Sequence, residues 1–223
     1  VLIDGLLSLE YRGYDSSGLA VINSSSSLID SDLTKFSDDI HSLVSVSLFK
    51  SKGRVNKLES IVSNKNIDGT VGIAHTRWAT HGEPSDKNAH PQVDNFNEFY
   101  VVHNGIIENY KELKTELENS GVRFVSQTDT EVIVHLFEFY NKSASSPFEA
   151  YEKTISRLQG AYATLLITKA APNALFFAKN AAPMMIGQSG DEFYFASSDA
   201  PLIGLCDSAI YLDDGCYGFA DTS

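Results

Sequence analysis

Apolar residues recur at helical spacing over the first ten positions of the chain. Leu2, Leu6 and Leu9 fall on one face, with Ile3 and Leu7 beside them, and this period predicts a helix. The predicted helix begins at the first residue, with no capping side chain before it. We therefore expect the natural polypeptide to begin upstream of this sequence.

Short apolar runs further along the chain predict buried strands. Residues 19–22, 71–74 and 99–102 each form such a run, and the last two lead into polar loops that contain histidine. The last third of the chain predicts five more strands, over residues 162–168, 174–178, 185–187, 192–196 and 209–212.

Helix starts separate these strands. Each is marked by a capping residue with a glutamate three positions later: Asn109 with Glu112, Thr128 with Glu131, and Ser146 with Glu149. Runs of strands around grouped helices predict an α/β (α+β) domain in which helices cover the sheets.

The composition fits one large globular domain or two small ones. Hydrophobic residues make up 43% of the 223 positions, and 17 Lys+Arg against 29 Asp+Glu give a formal charge of −12. Such an acidic chain repels nucleic acid and anionic membrane surfaces, so we expect neither as a partner. Two cysteines, Cys206 and Cys216, cannot form a disulfide framework in a chain of this length, so we expect a reducing, cytoplasmic location.

Serine is concentrated in one part of the chain. Residues 24–63 contain 12 of the 27 serines. We interpret residues 24–47 as a serine-rich insertion on the surface of the domain.

Four of the six histidines lie within 29 residues, at His75, His81, His90 and His103. A zinc site is one interpretation of this cluster. The spacings leave five, eight and twelve intervening residues, with neither a nearby cysteine nor a His-Glu-x-x-His sequence. Capping and backbone-bonding roles for His75 and His90 fit this spacing better. We therefore expect neither a metal nor a cofactor.

Residues 75–82 are dense in groups that recognise a small polar ligand. Arg77 can hold a carboxylate with two parallel hydrogen bonds. Thr80 and His81 add neutral donors, and Trp78 adds a flat wall.

A second group of candidate residues follows the next predicted strand. Asn104 offers a side-chain amide and Gly105 an unobstructed backbone N–H, which are the donors of an oxyanion hole. Asp129 admits two interpretations: an acid stabilised by a helix dipole, or a carboxylate that faces Arg77 and binds the ammonium group of an amino acid. Spacing alone leaves both open, because no nucleophile is visible in these segments.

Four segments in this order resemble one family. They are residues 9–16 (LEYRGYDS), 75–84 (HTRWATHGEP), 103–109 (HNGIIEN) and 128–132 (TDTEV). Together they resemble the glutaminase domain of the glutamine–fructose-6-phosphate aminotransferases, which are class II glutamine amidotransferases. The resemblance covers nearly the whole chain except the serine-rich insertion.

The resemblance implies a fold and a reaction. The fold is that of the N-terminal-nucleophile hydrolases, a four-layer αββα sandwich. In this family a cysteine at the mature N-terminus attacks the side-chain amide of glutamine, and its own α-amine acts as the base. Ammonia leaves as a thioester forms between the cysteine and the substrate, and water then hydrolyses the thioester.

The resemblance also implies residue roles. Arg77 is expected to bind the substrate α-carboxylate and Asp129 the α-ammonium, while Asn104 and Gly105 form the oxyanion hole. Thr80 and His81 are expected to line the glutamine pocket, and Trp78 to close it. Arg12 is expected to orient the nucleophile.

The nucleophile is the part of the family pattern that the sequence lacks. In the family a Cys-Gly-Ile strand precedes the segment that starts here at Val1, whereas the first cysteine of this chain is Cys206. Cys206 and Cys216 match no family nucleophile, and we interpret both as structural. We therefore expect residues 1–223 to be a glutaminase domain without its first strand, and inactive as it stands. The alternative is a non-catalytic glutamine-binding or regulatory module.

The expected partners follow from the same resemblance. They are glutamine and, in the same polypeptide, a C-terminal sugar-phosphate isomerase domain. The complete enzyme would pass ammonia to fructose 6-phosphate and make glucosamine 6-phosphate. We expect the complete protein to form a homo-oligomer.

Overall fold

Five α-helices and three antiparallel sheets make up residues 1–23 and 44–222, which the computed structural model of the chain describes. The helices are α1 (Leu2–Leu9), α2 (Val55–Val62), α3 (Tyr110–Asn119), α4 (Glu131–Asn141) and α5 (Pro147–Arg157). A 3₁₀ turn, Glu10–Arg12, continues α1. None of the helices in these residues is long and apolar enough to cross a membrane.

The strands form one five-stranded and two three-stranded sheets. The first sheet has the order β2-β1-β3, from β1 (Ser16–Asn23), β2 (Ser45–Lys52) and β3 (Val71–Arg77). The five-stranded sheet combines β4 (Gln92–Val93), β5 (Phe99–Ile107), β6 (Gly160–Thr168), β7 (Ala171–Asn180) and β11 (Tyr217–Asp221), in the order β11-β7-β6-β5-β4. The third sheet has the order β10-β8-β9, from β8 (Met185–Ser189), β9 (Glu192–Ala196) and β10 (Ser208–Tyr211).

Side-chain alternation along the strands sorts the structure into four layers. Leu19 and Val21 of β1 pack against α1 and α2, whereas Ala20 and Ile22 of the same strand face the five-stranded sheet. In the same way, Val101 of β5 faces helices α3 to α5, while its neighbours on either side face the first sheet. The layers are therefore helix, sheet, sheet and helix, as predicted.

The boundary of the predicted serine-rich insertion needs correction. Val44 is buried, and residues 45–47 belong to β2, where Val46 pairs with Ile22. Pairing with β1 overrides the polar composition, because apolar residues alternate with serine in this segment. Residues 24–43 of the predicted insertion lie outside the described residues.

Two of the three predicted helix starts were correct, because Asn109 and Ser146 are the N-cap residues of α3 and α5, but only Ser146 makes the capping bond. Ser146 Oγ accepts a hydrogen bond from the Glu149 N–H at 3.2 Å, and Pro147 is the first helical residue. Asn109 precedes α3, but its side chain bonds the backbone of residues 157 and 159 and makes no cap bond. The pair Thr128 and Glu131 does not form a capping box, because α4 begins only at Glu131.

Candidate active site

A cavity of about 580 Å³ is bordered by α1 and by strands β3, β5 and β9. Its volume lies in the range usual for small-molecule sites. It brings together seven of the eight predicted site residues, all of them in the described part of the chain: Arg12, Arg77, Trp78, Thr80, Asn104, Gly105 and Asp129.

Arg77 ends β3 and is 3% exposed at the cavity wall. Its Nη2 donates hydrogen bonds to the carbonyl oxygens of His81 and Gly82. Its Nη1 has no hydrogen-bond partner among the described residues. Burial lowers the pKa of Arg77, and the charges of Asp15 and Asp129 oppose that shift. The guanidinium therefore keeps one buried amino group available for an anionic ligand group such as a carboxylate.

His81 is the predicted site residue that does not border the cavity formed by the described residues. Its ring packs edge-on against Tyr110, with centroids 5.2 Å apart. Its carbonyl oxygen accepts the bond from Arg77. His81 therefore acts on the cavity indirectly, by holding the guanidinium group of Arg77.

Trp78 and Thr80 are exposed residues of the cavity rim. The Trp78 ring lies 5.7 Å from that of Tyr14, measured between centroids. The intervening Ala79 N–H donates to Asp15 Oδ2 at 2.8 Å. This bond fastens the rim segment to the residue just before β1.

Asn104 and Gly105 lie side by side in β5, on the cavity. Gly105 has φ +116°, and a Cβ at this position would lie 2.0 Å from the carbonyl oxygen of Ala161. The site therefore requires glycine here. Asn104 Oδ1 lies 3.0 Å from Nε2 of His75, which is on β3. That contact uses the oxygen of the carboxamide and leaves its N–H groups available.

Asp129 lies just before α4 and not in its first turn, because Thr130 is the N-cap residue. Its side chain is buried, and Oδ2 accepts a hydrogen bond from the Ile107 N–H at 2.9 Å. The carboxylate also acts electrostatically on Arg77. Opposite charges thus border one cavity, an arrangement that suits a ligand with both an ammonium and a carboxylate group.

The turn before Asp129 is shaped by Glu131. The Glu131 carboxylate accepts hydrogen bonds from the N–H groups of Val125 and Ser126, at 2.7 and 2.6 Å. His135, one turn further along α4, lies 3.4 Å from the same carboxylate. Burial raises the pKa of Glu131, but the hydrogen bonds from His135 and from this turn outweigh burial and leave the pKa lowered.

Arg12 approaches the cavity from the 3₁₀ turn after α1. Its Nη2 donates a hydrogen bond to Ser197 Oγ, just past the end of β9. The bond ties the first helix to the third sheet at the cavity edge.

Three histidines that were not among the predicted site residues, His75, His90 and His103, form one wall of the cavity. His90 Nε2 and His103 Nδ1 lie 2.8 and 3.0 Å from Thr130 Oγ1, and the rings of His75 and His90 lie 4.4 Å apart. Burial lowers the pKa of all three histidines, that of His75 to about 4. All three are therefore neutral at pH 7. Within residues 1–23 and 44–222, no group of three or more His, Cys, Asp or Glu side chains could hold a metal ion.

A signal for the positions of His75 and Asn104 was present in the sequence. Residues 71 and 73 of β3 face the five-stranded sheet, and residues 100 and 102 of β5 face β3. With a period of two, His75, Arg77 and Asn104 continue these inward faces. Alternation could therefore have predicted that His75 and Asn104 both point into the space between the two sheets.

The two cysteines lie away from the cavity. Neither Cys206 nor Cys216 borders it in the part of the chain that the structure describes. Cys206 packs against Gly187 of β8, where a Cβ would lie 2.3 Å from its Sγ. Desolvation raises the pKa of the Cys206 thiol, with a contribution from Asp207, and this disfavours the reactive thiolate.

The fold and this cavity define a glutamine amidotransferase domain, and the chain belongs to that family: a family model described as "Glutamine amidotransferase domain" matches residues 75–203. The chain is 48% identical over 222 residues to a glutamine–fructose-6-phosphate aminotransferase (isomerizing) of Campylobacter jejuni, covering 99% of this chain and 33% of that protein. It is 44% identical over 219 residues to the protein of that name from Helicobacter pylori, covering 98% of this chain and 33% of the other. The chain spans about a third of the length of these curated relatives.

Solved structures share the fold. The glutamine phosphoribosylpyrophosphate amidotransferase of B. subtilis superposes with a TM-score of 0.72 at 24% identity, over 99% of this chain and 46% of that one. A structure described as the allosteric regulatory enzyme of purine biosynthesis gives a TM-score of 0.74 at 24% identity, over 100% of this chain and 46% of the other. The predicted family and the predicted N-terminal-nucleophile hydrolase fold are confirmed.

Proposed function

We propose that this domain hydrolyses glutamine to glutamate and ammonia in the cavity bordered by Arg77, Asn104 and Asp129. One observation carries the proposal. A buried guanidinium whose Nη1 has no partner among the described residues and a buried carboxylate border the same cavity, together with a side-chain amide on a strand of the other sheet. The guanidinium and the carboxylate match the carboxylate and ammonium groups of an α-amino acid. The Asn104 amide supplies a hydrogen-bond donor for the hydrolysis of a side-chain amide.

Each charge has a partner on glutamine. Arg77 binds the α-carboxylate through Nη1, since Nη2 is held by two carbonyl oxygens. Asp129 binds the α-ammonium through the oxygen that Ile107 does not use. Thr80 and Trp78 flank the ligand at the rim, and His81 acts by holding Arg77.

The reaction needs a thiol and an oxyanion hole. Attack of the thiolate on the amide carbon places negative charge on the carbonyl oxygen, and Asn104 and Gly105 donate hydrogen bonds to it. The α-amine of the cysteine takes the thiol proton and returns it to the amide nitrogen, so that collapse of this intermediate breaks the C–N bond, expels ammonia and leaves a thioester. Water then attacks the thioester through a second oxyanion intermediate, which releases glutamate and regenerates the thiol.

We propose that the thiol is carried by a cysteine that precedes Val1 in the complete polypeptide. Among the described strands, β3 pairs only with β1 and β9 only with β8, so each has one edge without a strand partner. Both strands border the cavity. A strand between them would satisfy these two edges and carry its cysteine to Asn104 and to Arg12, which would orient it.

In the complete polypeptide we propose that the ammonia is passed to fructose 6-phosphate, yielding glucosamine 6-phosphate. The support is the activity named for two relatives that are 48% and 44% identical over nearly the whole of this chain. The remaining two thirds of such a protein would supply the sugar-phosphate isomerase domain, and we propose a homo-oligomer in the cytoplasm.

The test is glutamine hydrolysis by the complete polypeptide. Ammonia and glutamate are measured for the wild type and for a variant in which the N-terminal cysteine is replaced by alanine, with Cys206→Ser and Cys216→Ser as controls. The proposal predicts equal amounts of the two products, lost only in the N-terminal variant. A wild type that binds glutamine and releases no ammonia would support the non-catalytic module instead.

A further inference from the structure

We infer that His75 is a positioning residue for the oxyanion hole: its Nε2–H holds the Asn104 oxygen and so directs the Asn104 amide N–H towards the substrate carbonyl. The inference rests on the proposed function, because it assumes that Asn104 donates to the oxyanion. It adds a residue on β3 that acts through another side chain and does not touch glutamine.

The geometry links two layers of the sandwich. His75 lies on β3 and Asn104 on β5, in different sheets, and the 3.0 Å contact between Nε2 and Oδ1 crosses the space between them. A carboxamide has two orientations of nearly the same shape, related by a half turn about its last bond. Only a directional partner selects one of them, and His75 is that partner.

The surroundings of His75 determine which way the bond runs. Burial lowers the pKa of His75 to about 4, and the nearby His103 and Arg77 also disfavour a positive charge. A neutral imidazole has one N–H. Asn104 Oδ1 lies 3.0 Å from Nε2 and, as an amide oxygen, can only accept a hydrogen bond. The proton therefore sits on Nε2, where it is donated to Asn104.

A second ring fixes the first. His90 packs on His75 with centroids 4.4 Å apart, and its own Nε2 is held by Thr130 Oγ1 at 2.8 Å. His103 contacts the same hydroxyl at 3.0 Å. Since a hydroxyl has a single proton, at most one of the two histidines can accept from Thr130, and at least one of them donates to it. The stack thus holds the His75 ring in place behind Asn104.

The experiment is a double-mutant cycle in the complete polypeptide. His75→Leu removes the donor, His75→Gln keeps an N–H near the position of Nε2, and each is combined with Asn104→Ala. Steady-state kcat and KM for glutamine are measured for all forms. The wild-type and Asn104→Ala rates test the proposed function by themselves, whereas the cycle tests His75.

We expect His75→Leu to lower kcat about 10- to 100-fold and to change KM less than about twofold, because the oxyanion donor serves the transition state. His75→Gln should retain most of the rate. With Asn104→Ala present, His75→Leu should change kcat less than about twofold. An unchanged kcat in His75→Leu, or the same fold-loss in both backgrounds, would overturn the inference. If His75→Leu does not fold, a His75→Gln variant as slow as Asn104→Ala would overturn it.

Discussion

The carboxylate of Asp129 accepts a hydrogen bond from the backbone N–H of Ile107 at 2.9 Å. Asp129 lies in the loop before α4, and Ile107 is the last residue of β5, three positions beyond Asn104. The bond therefore fastens the proposed ammonium-binding group to the strand that carries the proposed oxyanion donor. Strand β5 would therefore hold both the group that binds the α-ammonium of glutamine and the group that binds its side-chain carbonyl oxygen.

Asp129→Asn separates the charge of this residue from its structural bond. The asparagine oxygen can still accept from Ile107, so the fold should persist while the ionic contact with the α-ammonium is lost. A charge-assisted bond is worth about 1.5–3 kcal/mol, so kcat/KM for glutamine should fall roughly 10- to 100-fold. Steady-state kinetics of the complete polypeptide measure this loss.

Asp94→Asn is the matched control. Asp94 is equally buried but lies away from the cavity, where it accepts hydrogen bonds from the backbone of Phe96, Glu98 and Phe99. Its substitution should lower the Tm and leave kcat/KM unchanged. The same pattern in Asp129→Asn would mean that Asp129 is a structural acid and not a ligand-binding one.

Arg77→Lys tests the geometry of the guanidinium while keeping its charge. A lysine ammonium cannot hold the carbonyl oxygens of residues 81 and 82 and still present a second amino group to a carboxylate. We expect KM for glutamine to rise at least about tenfold. Arg157→Lys, which changes the surface pair with Glu116, is the control and should leave KM unchanged. Equal KM values for Arg77→Lys and the wild type would remove Arg77 from the binding site.

Gly105→Ala tests the close contact in β5. The added Cβ would lie 2.0 Å from the Ala161 carbonyl oxygen at a residue with φ +116°. Unfolding in urea should therefore show a loss above about 2 kcal/mol. Gly121→Ala has a positive φ of +88° as well but meets nothing within 4 Å, and should cost about 1 kcal/mol. Equal losses would contradict the steric account.

The buried histidines predict a loss of stability in acid. Burial depresses the pKa of His75 in the folded state to about 4, below the ordinary value of 6.5. As the pH falls below about 6.5, the unfolded chain takes up a proton that the folded chain refuses, so the free energy of unfolding falls by about 1.4 kcal/mol per pH unit for this group. The loss continues down to the folded pKa.

His75→Gln removes this contribution. Between pH 7 and pH 5 the variant should lose about 2 kcal/mol less unfolding free energy than the wild type. Urea unfolding at the two pH values measures the difference. Identical pH dependence in the two proteins would show that His75 is not held neutral by burial.

Local sequence rules predicted the layers of this domain better than its connections. Short continuous apolar runs in β1 and β5 were enough to predict buried strands in sheets covered by helices, because a strand buried on both faces carries apolar residues at successive positions. The Ser146 cap was also predictable, since its partner is three residues away. The motif residues then indicated which loops form the cavity.

The parts that were missed depend on distant partners. Residues 45–47 looked like part of a serine-rich loop, but β1 recruits them into a strand. Glu131 looked like a capping partner of Thr128, yet its carboxylate is engaged by the turn at residues 125 and 126 and by His135. No local pattern reports such contacts, because they are set by packing between segments far apart in sequence or by the path of a turn.

The most direct test of the central claim is to find the residue that attacks the ligand. The complete polypeptide is treated with a thiol-reactive glutamine analogue, and the modified residue is identified by mass spectrometry of its peptides. The account predicts an adduct on a cysteine N-terminal to Val1, formed more slowly in the presence of glutamine and in Arg77→Lys. An adduct on Cys206 or Cys216 that forms at the same rate with and without glutamine would contradict it.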